Sequence, residues 1–537
     1  MGEDAARADW FLSPDERGNP DTAIDDRKPR GQAYAAGNSV TPLVHGATYF
    51  KALYRELCDL HPGDQVYITD WRGDADELLD GPGTEISTVL SDLARRGVHV
   101  RALVWRSHPS FARFNEETNL HLAEDVNEDG GEILLDERVK WGGSHHQKLF
   151  LIRHLDAPEK DVAFVGGIDL CHGRNDTGEH LGDAQPYELD ERYGPRPPWH
   201  DVQLEVRGPA LADLELTFRE RWEDPTPLDH RNPWRVVTRK RAHEPKEPSR
   251  LPPPRTQFSE AGTHAVQVLR TYPAKRPRFP FAGEGERSIA HAYEKAYARA
   301  QRLIYVEDQY FWSEEIATLL ARTLRDHPRL HLIVVLPRYF EQGGAASTPP
   351  PRHGQSRAID IVKEGGGDRA TFYDIETAAG IPIYVHAKVC VIDDVWAEVG
   401  SDNINLRSWT HDSELSCTVL DETRDEREPR DPAGLGDGAR SFARDLRLLL
   451  WKEHLQTGSE DGLIDPDEGF ERWRSTAAEL DRWHASGRTG PRPPGRIRSH
   501  DPGRNNAVTD RWASQVYRYL LDPDGRPRNL RGTGRFR

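Results

Sequence analysis

The stretch His386-Ala-Lys388-Val-Cys-Val-Ile-Asp393, followed by Gly400-Ser401-Asp402-Asn403, decides how the rest of the chain is interpreted. Its β-branched residues predict a strand. Side chains alternate between the two faces of a strand, so His386 and Lys388 point to the same side. A titratable imidazole beside a fixed cation is suited to a phosphoryl group, because the imidazole attacks or protonates while the cation balances negative charge.

The same pattern occurs earlier in the chain in variant form. His145-His146-Gln-Lys148 is followed by two apolar runs and by Gly166-Gly167. A single His-x-Lys means little in a chain with 23 histidines. In both examples a predicted strand precedes the His-Lys motif, and a second strand and a glycine turn follow it. We therefore interpret the chain as an internal duplication in which each copy contributes one His-Lys pair.

Helical and strand patterns alternate through both copies. Apolar residues recur at helical spacing in 48–60, 85–96, 209–222, 288–300, 316–325 and 439–451. Strands are predicted at 65–71, 98–105, 149–152, 162–165, 201–206, 264–270, 303–311 and 330–336. This alternation predicts a mostly parallel sheet covered by helices. Residues 343–354, with an internal Ser-Thr-Pro-Pro-Pro, are expected to form a loop long enough to overhang a site.

Composition and charge restrict the class of protein. The 537 residues favour two or three folded units, and a hydrophobic share of 36% with 30% charged residues is typical of a soluble globular protein. A net charge of −17 argues against a protein built to bind nucleic acid. Residues 488–537 differ, because twelve Arg and four Asp give them a net charge of +8. A loosely docked tail and a contact with anionic lipid or phosphate are both open for this stretch.

Cellular location is only weakly indicated. The chain has no apolar run long enough to span a membrane, and its first residues lack the basic and apolar regions of a signal peptide. The four cysteines are scattered and are expected to be free thiols. We therefore expect a protein that is cytoplasmic or peripheral at a membrane, with secretion by another route left open.

The complete motif, His-x-Lys followed by four residues and Asp, then a Gly-Ser-x-Asn turn, resembles the signature of the phospholipase D superfamily, whose members carry two such motifs in two similar halves. The resemblance covers most of 40–450. It extends to 166–170, 198–201, 304–310 and 411–414, which look more like the eukaryotic-type phospholipases D than like the small nucleases. It implies an α/β fold of two α/β/α sandwich halves related by a pseudo-twofold axis, with the active site at their interface.

The resemblance also implies a mechanism. In the family, one histidine attacks phosphorus and forms a covalent phosphohistidine while the other protonates the leaving alcohol. Transferred by position, His146 is the nucleophile and His386 the general acid and base. Imidazoles suit both roles because their pKa lies near working pH. No metal or other cofactor is expected, since the scheme needs none and the sequence has no His/Cys/Asp cluster with metal-ligand spacing.

Further site residues follow from the same resemblance. Asp201 and Glu414 match the carboxylates that each orient the histidine of the opposite half, and Asp393 braces the strand of the second motif. The remaining groups predicted to act on or line the phosphate site are Lys148, Lys388, Asn403, Ser401, Gly167, Asp169, Glu307 and Gln309. For Glu307 and Gln309, polar support of the core is an equally open alternative to substrate contact.

The first motif departs from the family pattern at one position. Seven residues after His146 stands Arg153, where the family has Asp. Asp156 and Asp161 lie nearby, in a segment longer than its counterpart in the second half. We expect the site to stay active, because the family Asp mainly braces the strand and a neighbouring Asp, or the Arg itself, can replace it. A degenerate half that only binds phosphodiesters is the alternative.

The sequence thus predicts an N-terminal arm (1–40), a first half (41–224), a linker (225–260), a second half (261–455) and a polar, partly basic C-terminal extension (456–537). The expected protein is a monomeric bacterial phosphodiesterase that cleaves phosphatidylcholine-like phospholipid at a membrane surface, with water or a small alcohol as acceptor. Its alternatives are a nuclease or other phosphodiesterase of the superfamily and a non-catalytic phospholipid-binding protein.

Overall fold

Two similar halves share one continuous mixed sheet in the computed structural model. The residues that the structure describes are 3–29, 31–107, 116–228, 243, 245, 247–255, 258–533 and 536. Half of the predicted linker at 225–260 lies outside them.

The arm and the first half contain the following elements: α1 (Glu3–Trp10), α2 (Pro14–Arg17), β1 (Ala35–Val44), α3 (Gly46–Cys58), β2 (Gln65–Asp70), α4 (Ile86–Arg95), β3 (His99–Trp105), α5 (Glu116–Glu128), β4 (Glu132–Asp136), β5 (Leu149–Arg153), β6 (Val162–Gly166), β7 (Trp199–His200), β8 (Val202–Arg207) and α6 (Leu211–Trp222). The helices and strands predicted for this half are all present, with ends that differ by at most two residues.

The second half and the C-terminal region contain β9 (His264–Tyr272), β10 (Glu286–Arg287), α7 (Ser288–Arg299), β11 (Leu303–Glu307), α8 (Glu314–Asp326), β12 (His331–Val335), α9 (Pro349–Gly366), β13 (Ala370–Ile375), β14 (Tyr384–Val385), β15 (Val389–Ile392), β16 (Trp396–Gly400), α10 (Leu406–Thr410), β17 (Glu414–Asp421), α11 (Ser441–Leu455), α12 (Pro466–Ala485), β18 (Ile497–Ser499) and α13 (Ala507–Val516). Strand β11 ends earlier than predicted, because the Asp308 carboxylate accepts the backbone N–H groups of Tyr310 and Phe311 and turns the chain.

Strand order shows the duplication directly. The first half follows the order β4-β3-β2-β5-β6-β8-β1, and the second follows β13-β12-β11-β15-β16-β17-β9. Each strand has a counterpart at the same place, and β1 pairs with β9 at the centre in antiparallel orientation. The predicted two-part α/β fold is therefore confirmed, with the two His-Lys motifs leading into the equivalent strands β5 and β15.

The prediction of a mostly parallel sheet is wrong. Parallel pairing is limited to β2-β3-β4, to β11-β12-β13 and to the short pair β7-β14, while the other described pairs are antiparallel. The reason is local, because each motif strand is joined to its successor by a connection too short for the crossover that parallel strands require. Only the outer part of each half has the helix-covered parallel arrangement that the pattern suggested.

The predicted loop at 343–354 is half helix. Helix α9 begins at Pro349, so that Pro349, Pro350 and Pro351 form its first turn. Proline is tolerated there because the first backbone N–H groups of a helix have no partner within the helix. The segment that can overhang a site therefore ends before residue 349.

The basic stretch at 488–537 is not a loosely docked tail. Strand β18 extends the sheet by pairing with β13, with Ile497 opposite Ile375. Helix α13 packs against α9, and the Tyr517 hydroxyl donates a hydrogen bond to the Trp312 carbonyl oxygen. Within the described residues, no helix has both the length and the apolar character needed to cross a membrane.

The position of the missing motif Asp is braced by other carboxylates. In the second half, Asp393 accepts the backbone N–H groups of 301–303 at 2.7–2.8 Å, which ties β15 to the start of β11. In the first half, Asp161 accepts the His154 N–H at 2.7 Å and Asp64 accepts the Leu155 N–H at 2.7 Å. Arg153 lies at the end of β5 remote from the motif histidine and pairs with Glu215.

A buried ion-pair network joins the second motif hairpin to α11. The Asp394 carboxylate, in the turn between β15 and β16, lies 2.9 Å from Arg444 Nε and 2.6 Å from Arg447 Nε. All three side chains are 0% exposed. Burial of such charges is tolerable only while each keeps its partner.

We expect Asp394→Ala to destabilise the fold by about 3–5 kcal/mol, because it leaves two buried guanidinium groups without their carboxylate. The matched control is Asp445→Ala on α11, whose side chain is 62% exposed and pairs with Arg427. That change should cost about 1 kcal/mol or less. Urea unfolding followed by tryptophan fluorescence measures both, and equal losses would contradict this account of the network.

Candidate active site

Each motif histidine is hydrogen-bonded to a carboxylate from the other half of the molecule. His146 Nδ1 lies 2.8 Å from Glu414 Oε2, and His386 Nδ1 lies 2.7 Å from Asp201 Oδ2. A carboxylate accepts the Nδ1–H of its imidazole, so each histidine keeps Nε2 for other chemistry. The predicted crossed arrangement of these four residues is thus present in the fold.

Backbone hydrogen bonds hold these pairs in register across the interface of the halves. The His146 N–H donates to the Ser413 carbonyl oxygen at 2.9 Å, and the His386 N–H donates to the His200 carbonyl oxygen at 2.8 Å. In each case the acceptor immediately precedes the carboxylate that the imidazole contacts. The parallel pair β7-β14 continues the second of these contacts, so the two crossed pairs have the same local construction.

Gly167 and Ser401, predicted to line the glycine turns, lie directly against the two carboxylates of Asp201 and Glu414. A Cβ added at Gly167 would lie 2.3 Å from Asp201 Oδ1, so only glycine permits this close approach. Ser401 Oγ donates to Glu414 Oε2 at 2.6 Å. These contacts fix the carboxylates and, through them, the orientation of the imidazoles.

The two motif lysines are buried and face different partners. Lys148 Nζ lies 2.9 Å from Asp169 Oδ1, whereas Lys388 Nζ donates to Gln309 Oε1 at 3.3 Å and to the His386 carbonyl oxygen. Burial lowers the pKa of Lys388 to about 8, and Asp201 opposes this shift. Burial acts on Asp169 in the opposite sense, but Lys148 and Arg174 hold the pKa of its carboxyl below the usual value.

The free site favours a neutral His386. Burial lowers the pKa of this imidazole well below its ordinary value, and the nearby cations Lys388 and Arg174 lower it further. Burial also raises the pKa of Asp201. The pair is therefore best described as a neutral imidazole that donates its Nδ1–H to the carboxylate.

The other residues predicted for the phosphate site differ in their surroundings. Asn403 is buried, and its Oδ1 has no hydrogen-bond partner among the described residues. Gln309 reaches the site through Lys388. Glu307, in contrast, is fully buried away from the phosphate-facing groups, with its carboxylate 2.6 Å from His200 Nε2 and 2.7 Å from His454 Nε2. For Glu307 the geometry is that of core support, the alternative to substrate contact.

Some residues around the site were missed in the sequence. The Arg174 guanidinium lies 3.3 Å from Asp169 Oδ2 and 4.2 Å from the centre of the Trp199 ring, whose centre is 5.0 Å from that of His386. Trp71 covers the first motif, with its ring centre 6.0 Å from Lys148 Nζ. Trp199 belongs to the resembling stretch 198–201, whereas Arg174 and Trp71 sit in segments without a repeated spacing, so only the fold brings those two to the motifs.

A comparison with protein-family models matches residues 64–333, about half of the chain, to the family described as "Phospholipase D". Similar curated proteins include Phospholipase D zeta 2 of Arabidopsis thaliana, 24% identical, with 87% of this chain and 59% of the relative covered. Phospholipase D alpha 1 of Cynara cardunculus is 26% identical, with coverage of 76% and 63%. Phospholipase D1 of Saccharomyces cerevisiae is 25% identical, with coverage of 81% and 30%. The chain spans less than two thirds of the length of each of these relatives.

Among solved structures, the fold is similar to that of phosphatidylserine synthase from Haemophilus influenzae Rd KW20. The TM-score is 0.51 at 14% sequence identity, and the match covers 72% of this chain and 84% of that one. This likeness concerns the fold alone. The family match, which covers half of the residues, shows that the chain belongs to the phospholipase D family.

Proposed function

We propose that this protein is a phosphodiesterase that cleaves phosphatidylcholine-like phospholipids at the head-group oxygen and releases phosphatidate. The observation that carries the proposal is the pair of crossed contacts, His146 with Glu414 and His386 with Asp201. They provide two imidazoles, each oriented through Nδ1, beside two buried lysines. The names of the related phospholipases D support a phospholipid as substrate.

The reaction then follows in two displacements. In the first, His146 Nε2 attacks the phosphorus, the bond from phosphorus to the head-group oxygen breaks, and His386 gives a proton to the leaving alcohol. In the second, water attacks the phosphohistidine, His386 takes its proton, and the phosphorus–nitrogen bond breaks. A small alcohol in place of water yields a phosphatidyl alcohol.

The surrounding charges explain how the site supports these steps. Lys148, Lys388 and Asn403 stabilise the nonbridging phosphate oxygens as charge shifts between them. The phosphodiester anion offsets the positive charge of Lys388 and Arg174, which adds to burial in lowering the pKa of His386 in the free site. His386 therefore holds the proton that the leaving alcohol requires most readily after substrate binds.

An open cavity of about 1020 Å³ adjoins the segments that precede His146 and Glu414. Gly142 and His411, four and three residues before His146 and Glu414, line it, whereas the two motif histidines and the two motif lysines do not. The rest of the lining mixes apolar and cationic side chains (Trp141, Leu319, Leu520, Tyr519, Lys140, Arg322 and Arg518) with four carboxylates (Glu314, Glu315, Asp522 and Asp524). The apolar part of this lining suits acyl chains, and a net charge of −17 opposes a nucleic-acid polymer.

The non-catalytic alternative rests on Arg153, which replaces the motif Asp. Because Asp161 and Asp64 brace the end of β5, and because Arg153 is paired with Glu215, this substitution leaves the first motif anchored. We therefore propose that both motifs take part in catalysis.

One prediction of the proposed function concerns substrate and acceptor. Purified protein should release choline from phosphatidylcholine vesicles and form phosphatidylethanol when ethanol is added. His146→Ala and His386→Ala should each reduce both products by at least about 10³-fold, because each removes a reacting group. The control His121→Ala, on the exposed side of α5, should retain normal rates.

Product analysis distinguishes the alternatives in the same experiment. Hydrolysis of single-stranded DNA with untouched phosphatidylcholine would identify a nuclease instead. Head-group release that is unaffected by both histidine substitutions would remove the proposed mechanism.

The second prediction concerns the glycine beside Asp201. Gly167→Ala should lower kcat by about 10²-fold, because the added Cβ displaces the carboxylate that orients His386. Gly458→Ala is the matched control, since a Cβ at Gly458 meets no atom within 4 Å. Initial rates of choline release measure both, and a fully active Gly167→Ala enzyme would show that this close approach is not required.

A further inference from the structure

A second cluster of histidines lies behind the active site, around Glu453 of α11. Glu453 Oε2 is 2.8 Å from His45 Nε2, and its Oε1 is 2.9 Å from His180 Nε2 and 3.6 Å from His200 Nδ1. One ligand atom from each of these four residues lies within 4.8 Å of every other. The three imidazoles are buried, and the proposed reaction does not use them.

Outer hydrogen bonds set the direction of two of these imidazoles. His180 Nδ1 donates to the Trp199 carbonyl oxygen at 3.0 Å, so its Nε2 faces Glu453. His200 Nε2 lies 2.6 Å from Glu307 Oε2, so its Nδ1 faces Glu453 as well. That Nδ1 has no hydrogen-bond partner among the described residues. Imidazoles that ligate a metal show this pattern, with the outer ring nitrogen donating to a carbonyl or carboxylate and the inner lone pair free.

The rings converge on one point rather than stack. Ring centres of His45 and His180 are 4.9 Å apart at an interplanar angle of 90°, and those of His45 and His200 are 5.3 Å apart at 71°. Both His45 and His180 also have positive φ angles, 70° and 54°, which side-chain-bearing residues rarely adopt. The backbone is therefore strained at two of the residues that bring the imidazoles together.

We propose that His45, His180, His200 and Glu453 bind one divalent transition-metal ion of the zinc type. Imidazole nitrogens and carboxylate oxygens are both zinc ligands, and three imidazoles with one carboxylate complete the four-coordinate set that a closed zinc site requires. Imidazole donors favour Zn²⁺ and its neighbours over Mg²⁺ or Ca²⁺. With four protein ligands the ion has no open position, so it takes no part in the reaction at phosphorus.

The position of the cluster gives the ion a role in holding the site. His45 precedes α3, His200 is next to the active-site carboxylate Asp201, and Glu453 lies on α11 of the second half. Glu307 connects His200 to His454 as an outer layer. One ion would thus fasten segments of both halves directly behind the contact between Asp201 and His386.

Metal content of the 537-residue protein tests the proposal. The protein as purified, or the protein stripped with a chelator and then titrated with Zn²⁺, should hold one equivalent of metal after dialysis. Elemental mass spectrometry measures this content. Co²⁺ bound in its place should show the visible absorption of a tetrahedral ion. Folded protein that takes up neither ion stoichiometrically would overturn the proposal, and would indicate imidazoles paired with Glu453 through protons alone.

Variants then locate the site. His45→Ala and His180→Ala should each weaken Zn²⁺ binding at least about tenfold. His121→Ala and the active-site variant His146→Ala should bind it normally. Undiminished binding by both cluster variants would contradict the assignment. Should either variant fail to fold, the stoichiometry and Co²⁺ spectrum of the unaltered protein still decide the question. Because metal binding is measured without phospholipid, its outcome is independent of the proposed phosphodiesterase activity.

Discussion

The hydrogen bonds between each motif histidine and a carboxylate of the opposite half constrain the whole molecule. Asp201 and Glu414 are fully buried, and a buried carboxylate without a partner is costly. Both bonds exist only when the two halves are docked to within a fraction of an ångström. The site is consequently a property of the interface, and neither half contains it alone.

The central sheet provides the rigidity that this constraint requires. Pairing of β1 with β9 joins the halves into one sheet, and β7-β14 adds a second, shorter connection beside His386. The buried Asp394 network ties the second motif hairpin to α11, the helix that also carries Glu453. The histidine cluster therefore lies where the frame of the second half meets the carboxylate of the first.

Much of the fold was accessible from the sequence because its signals are local. Periodicity located most strands and helices, and the repeated His-x-Lys segments indicated the duplication that strand order confirms. The prediction of a mostly parallel sheet was wrong because periodicity does not report strand direction. The prediction of a loop at 343–354 was wrong in its second part. A run of prolines suggests irregular structure, but here it forms the first turn of α9.

The site was less accessible, since its contacts join distant segments. The crossed pairs followed only from family resemblance, and Arg174 carried no signal at all. The role of Glu307 in support of His200 depends on β11 and β7 being neighbours in space. Likewise, His45, His180, His200 and Glu453 are spread over 400 residues, so no spacing rule joins them.

The crossed assignment is tested most directly by trapping the covalent intermediate. A phosphodiester with a nitrophenol leaving group needs no acid for the first step, so rapid quenching and peptide mass spectrometry report formation and breakdown separately. The account predicts a phosphohistidine at His146 that accumulates in Asp201→Ala as it does in His386→Ala. In Glu414→Ala, as in His146→Ala, it should not form. The reverse result, in which Glu414→Ala accumulates the intermediate and Asp201→Ala fails to form it, would contradict the assignment of each carboxylate to the histidine of the opposite half.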